Sequence, residues 1–88
     1  MSKDITEEIL LNAGFHKEEI YSIVCPYRYA IKLSNVYVEV YNSSNMHTRN
    51  FNIKVFNSYG LFADVDIETV EHFNKLMDLM DIDFKLKE

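Results

Sequence analysis

The chain has no tryptophan, one cysteine, one proline and two glycines among its 88 residues. With Cys25 alone no intramolecular disulfide can close, and such cysteine usage suits a reducing cytoplasm. Gly14 and Gly60 stand far apart, so neither a phosphate-cradling glycine loop nor a dinucleotide fingerprint is present. No apolar run approaches the length of about 18 residues that a membrane span needs. The opening Met-Ser-Lys-Asp-Ile-Thr-Glu-Glu carries acids where a secretion signal would carry an apolar stretch. Basic residues are in the minority, 9 against 14 acidic ones for a formal net charge of −5. General affinity for phosphate backbones is therefore not expected, and protein is the expected partner, with neither nucleic acid nor membrane. A chain this short buries only about 60–65% of the surface it exposes when unfolded, which leaves a thin core and little room for an enclosed active site. One domain, residues 1–88, is the expected organisation.

What is present is patterned. Asp4, followed three residues later by Glu7, has the form of a helix N-cap, and Ile5, Ile9, Leu10 and Ala13 fall on one helical face. Gly14 ends that helix, so the spacing predicts it over Asp4 to Ala13. A polar stretch, His16 to Glu19, follows, and then Ile20 to Cys25, whose residue types suit a strand that Pro26 confines to an edge. Tyr29, Ile31 and Leu33 alternate with Arg28, Ala30 and Lys32, and Ser34-Asn35 turns the chain into Val36 to Tyr41 with the same period. Residues 42–50, rich in Asn and Ser, read as the longest loop. Phe51 to Phe56 alternates again, and Asn57-Ser58-Tyr59-Gly60 turns into Leu61 to Val65. Val70, Phe73, Leu76, Met77 and Met80 then take up the helical period, with Thr69 or Asp66 as cap and a helix from Thr69 to Met80. The alternation of Ile82, Phe84 and Leu86 suggests a short extended edge at the C-terminus. The fold class is α+β: an antiparallel meander of four strands, or five if Ile20 to Cys25 adds one, with an N-terminal and a C-terminal helix packed on one face.

Catalytic constellations are not apparent. Cys25 needs a base to become a nucleophile, and His16, His47 and His72 match no spacing that supplies one, so a small packing residue is the preferred reading. Asp64, Asp66 and Glu68 share a side if the chain stays extended there, and oxygen ligands suit magnesium or calcium. Their placement at the start of the second helix, where negative charge favours the macrodipole, accounts for them without a metal. The histidines lack zinc spacing. No metal, cofactor or enzymatic activity is expected.

Charge is segregated along the chain. Residues 1–19 hold two basic and five acidic side chains, residues 20–60 four and one, and residues 61–88 three and eight. On the sheet face away from the core, alternation gathers Tyr37, Tyr41, Phe56 and Phe62 with Arg28 and Lys54. Aromatics and arginine are enriched in binding interfaces. Cross-strand aromatic pairs also stabilise an open sheet, so the pattern has a purely structural explanation as well. The second candidate surface is the acidic last third, where Glu71, Asp78 and Asp81 could face a basic groove as nucleic-acid mimics do.

The layout resembles a loose class of short, mostly uncharacterised proteins from bacteriophages and mobile elements. The residues that carry it are a helix ending in Ala-Gly-Phe (Ile9 to Phe15), a Tyr/Val-rich meander, and a closing Thr-Val-Glu-x-Phe-x-x-Leu helix (Thr69 to Leu76) ending in Met-Asp-Ile (Met80 to Ile82). The class brings no active-site residues. The small core, the segregated charge and the lack of a catalytic constellation point to a non-enzymatic protein-binding module, and the resemblance implies an inhibitor of a host defence or nucleic-acid enzyme of the anti-CRISPR kind. The alternative is a structural or assembly component, for which homo-oligomerisation is the signature. A third reading is a small metal-dependent hydrolase or nuclease using Asp64, Asp66 and Glu68.

Overall fold

The computed structural model describes residues 3–20, 27–42 and 51–88. Within them the chain runs α1 (Glu7–Asn12), β1 (His16–Glu19), β2 (Tyr27–Lys32), β3 (Tyr37–Asn42), β4 (Phe51–Asn57), β5 (Gly60–Ile67) and α2 (Val70–Leu79). The strands form one antiparallel sheet in chain order, a five-stranded meander, and the helices cover one of its faces. The fold class is α+β, as expected. Ile20 follows β1 without belonging to a strand, and the remainder of the expected strand, with Cys25 and Pro26, falls on residues 21–26. Those residues, and the Asn/Ser-rich loop at 43–50 with His47, lie outside the described ones.

The fifth strand is His16–Glu19, where a polar stretch was expected. An all-polar strand shows no hydrophobic alternation, and its place comes from pairing: Glu18 lies opposite Arg28 and His16 opposite Ala30. Charge holds it on both faces. On the outer face Arg28 donates to Glu18; on the helix face Lys17 pairs with Glu7 and lies 4.2 Å from the centre of the Tyr27 ring.

One of the two caps expected for α2 is the observed one, whereas α1 starts two residues beyond its expected cap. Thr6, not Asp4, caps α1, its hydroxyl accepting from the Ile9 N–H at 3.2 Å. Asp4 instead forms an isolated antiparallel bridge with Thr69, in which Ile5 N donates to Glu68 O and Val70 N to Lys3 O. Thr69, not Asp66, caps α2, because β5 runs on to Ile67 and takes Asp66 with it. Each helix ends in a Schellman motif. After α1, Phe15 N reaches Leu10 O and Gly14 N reaches Leu11 O, with Gly14 at φ +107°. After α2, Ile82 N reaches Met77 O and Asp81 N reaches Asp78 O, with Asp81 at φ +58°.

The core lies between the helices and the sheet. Val38, Val40, Ile53 and Val55 from the two central strands meet Leu10 of α1 and Phe73 and Met77 of α2, all fully buried. Each such side chain contributes roughly 1.5–3 kcal/mol by leaving water. Phe15, Phe73 and Phe84 form a mutual edge-to-face trio with centroids 5.8–6.4 Å apart. Among the described residues no strand pairs with the C-terminal segment. The Asn74 amide holds it instead, accepting from Leu86 N at 2.8 Å and donating to Leu86 O at 3.0 Å, so Leu86 is buried in the core.

Candidate functional site

Register assembles the outer face of the sheet. Arg28 stands opposite Tyr41, Tyr37 opposite Phe56, Glu39 opposite Lys54, and Lys54 in turn opposite Asp64. Five of the six residues expected there, Arg28, Tyr37, Tyr41, Lys54 and Phe56, are thereby brought onto neighbouring strands of one face. The face nevertheless divides into two chemically different halves.

The first half is a closed polar network. Glu39 is buried beneath it at 8% exposure, 3.3 Å from Arg28 Nη1 and 2.7 Å from the Tyr41 hydroxyl, which donates to it. Arg28 also donates from Nε and Nη2 to one Glu18 oxygen at 3.0 and 2.8 Å, which drives its already high pKa further up. Burial, then the Glu39 bond, raises the Tyr41 hydroxyl above its usual range. On the next strands Asn52 Nδ2 donates to Asp64 at 2.6 Å and to Asp66 at 3.1 Å, and Lys54 lies 3.4 Å from Asp64. The Asn52 bond, with help from Lys54, holds the Asp64 carboxyl below its ordinary value. A general acid needs the opposite shift. Asp64 and Asp66 do share a face, but Asn52 spans them, and among the described residues no three His, Cys, Asp or Glu side chains stand together as metal ligands.

The second half is apolar and open. Tyr37 and Phe56 rings lie 6.2 Å apart at 51°, and burial raises the Tyr37 hydroxyl. Between Val55 and Phe56 the register slips: Val55 faces Ala63 and Phe56 faces Leu61, so Phe62 is the extra residue of a bulge. The bulge leaves the adjacent Leu61 and Phe62 55% and 56% exposed, and Tyr59 in the preceding turn is 96% exposed. A shallow groove of about 640 Å³ at this end of the sheet is lined by Tyr37, Phe56, Tyr59 and Phe62 together with Met80 and Ile82, just beyond α2.

Glu71, Asp78 and Asp81 belong to the helical layer, so the two expected surfaces are separate. Glu71 pairs with Lys75 at 3.5 Å and Asp78 with Lys85 at 2.9 Å. Asp81 occupies the left-handed position that ends α2.

Sequence reasoning missed Tyr59 and Leu61. Leu61-Phe62 breaks strict alternation next to a turn, and that break is the one available sign of a bulge. Glu18 was missed because its strand was. Among the described residues no helix is long and apolar enough to cross a membrane. Comparison of the chain with family models, with curated proteins and with solved structures finds no match, so no residue role is carried over from a relative.

Proposed function

We propose that the protein is a non-enzymatic binding module that docks a protein partner on the apolar end of its sheet. The observation that carries this reading is the grouping of Tyr59, Leu61 and Phe62, each more than half exposed, beside the Tyr37–Phe56 pair. Large apolar side chains gathered on a small surface cost solubility unless a partner covers them, and aromatic side chains are the usual anchors of such contacts. The acidic helix is the weaker candidate, because the carboxylates of Glu71 and Asp78 already pair with Lys75 and Lys85. Stoichiometric inhibition of a host enzyme, the mode of anti-CRISPR proteins, is one use of such a module, and the support for it is the resemblance of layout alone.

Photo-crosslinking tests the location whatever the identity of the partner. Benzoylphenylalanine substituted for Phe62 or Tyr59 in expressing cells is expected to trap one discrete adduct, and the same group substituted for Glu71 to trap none. No adduct from either aromatic position, or the same adduct from all three, contradicts the proposal.

A further inference from the structure

Among the described residues the sheet has two edges, β1 and β5. They are built differently. β1 is four residues long, His-Lys-Glu-Glu, the short charged form that discourages strand addition. β5 is eight residues long, and it exposes Leu61 and Phe62 together with Val65 at 36%. Its extended path continues to Thr69, at φ −114° and ψ 156°, where the chain's own Lys3 to Ile5 already pairs antiparallel with Glu68 to Val70.

We infer that the edge of β5 accepts an extended peptide segment of the partner as a sixth strand, and that this segment alternates basic with β-branched apolar side chains. The alternation follows from the pleat. On the outer side β5 presents Asp66 and Asp64 and then, at the bulge, Phe62 and Leu61, and on the helix side Ala63, Val65 and Ile67. A strand laid alongside meets on one face the carboxylates of Asp64 and Asp66, which keep acceptor sites beyond their bonds to Asn52 and Lys54, and on the other face apolar groups. Main-chain hydrogen bonds supply the attachment, and the alternate side chains supply the choice of partner. The net charge of −5 draws a basic segment from a distance.

A second copy of the chain fits the edge poorly. Antiparallel self-pairing centred on Asp64 sets the two Asp64 carboxylates directly opposite one another, and centring on Ala63 leaves them diagonal neighbours. Like charges so placed are destabilising. The inference rests on the proposed binding function and adds to it the partner's chemistry and the way it attaches.

The test uses the full chain, isotope-labelled, and blocked peptides matched to the eight residues of β5. One peptide alternates Lys and Val, a second alternates Glu and Val, and a third holds the Lys and Val residues in two blocks. The alternating Lys/Val peptide is expected to shift the amide signals of residues 60–67 and slow their hydrogen exchange, and the other two to leave them unchanged. The double variant Asp64→Asn with Asp66→Asn, whose side chains can still bond Asn52, is expected to bind the Lys/Val peptide about tenfold more weakly. Three outcomes overturn the inference: no response at 60–67, equal binding of the Glu/Val peptide, or concentration-dependent shifts at 60–67 without peptide, which would assign the edge to a second copy. If the peptide fails while crosslinking through Phe62 succeeds, the edge inference falls and the binding function stands. If the peptide binds while crosslinking fails, the edge accepts a strand and the apolar end is not the docking site.

Discussion

Asp81 carries a cost that its sequence neighbourhood does not advertise. It takes φ +58° at the end of α2, where the corresponding position after α1 is Gly14 at φ +107°. Asp tolerates the left-handed region better than most residues but less well than glycine, and its negative charge stands at the unfavourable end of the helix dipole. Asp81→Gly is therefore expected to stabilise the fold by about 0.5–1 kcal/mol, read as a rise of a few degrees in the melting midpoint. A fall in the midpoint would show that the aspartate side chain contributes more than its backbone strain costs. Gly14 was legible as a helix stop because glycine there has one evident reason. Asp81 was not, since an acid in an acidic segment reads as solvated surface. Thr6 was hidden in the same way: Asp4 offered a better-looking capping pattern, and only its bridge to Thr69 shows why the cap moved.

At the scale of elements, legibility tracks hydrophobic period. β2, β3, β4 and α2 follow their alternation or their i, i+3, i+7 stripe to within a residue or two, because each buries one face, whereas β5, with Ile67 alone buried, is bounded by the turn before it and the helix after it. β1 buries none of its own side chains in the core and is held by charge across the register, so no period marks it. The C-terminal segment failed in the opposite direction. Its alternation is real, with Phe84 and Leu86 turned toward the core, but a single side chain, Asn74, replaces the strand that alternation implied. Asn74→Ala should cost about 2 kcal/mol by leaving the Leu86 backbone groups half-buried without their partners. The loss should appear locally first, as faster amide exchange over residues 82–88 before any change in the sheet. Uniform loss across the molecule would instead make the tail part of the main cooperative unit.

For the whole molecule, the division of labour is between a helical layer that makes the core and a sheet whose outer face is left to solvent. Alternation sufficed to place Tyr37, Tyr41, Phe56, Arg28 and Lys54 on that face. It could not show that Arg28, Tyr41 and Lys54 are tied to Glu18, Glu39 and Asp64, nor that a bulge would push Leu61 and Phe62 outward together. Those depend on the partner strand and the register, which a single strand's pattern does not contain. The most direct test of the proposed contact surface compares two double variants for melting midpoint and for retention of the crosslinked partner on immobilised protein. Tyr59→Ser with Phe62→Ser removes exposed apolar surface, and Glu71→Lys with Asp78→Lys reverses charge on α2. The first pair should keep its midpoint within a few degrees and lose the partner, since these side chains are 96% and 56% exposed and bury little. The second pair should keep the partner. Retention by the first pair and loss by the second would move the contact surface to the helix and contradict the account.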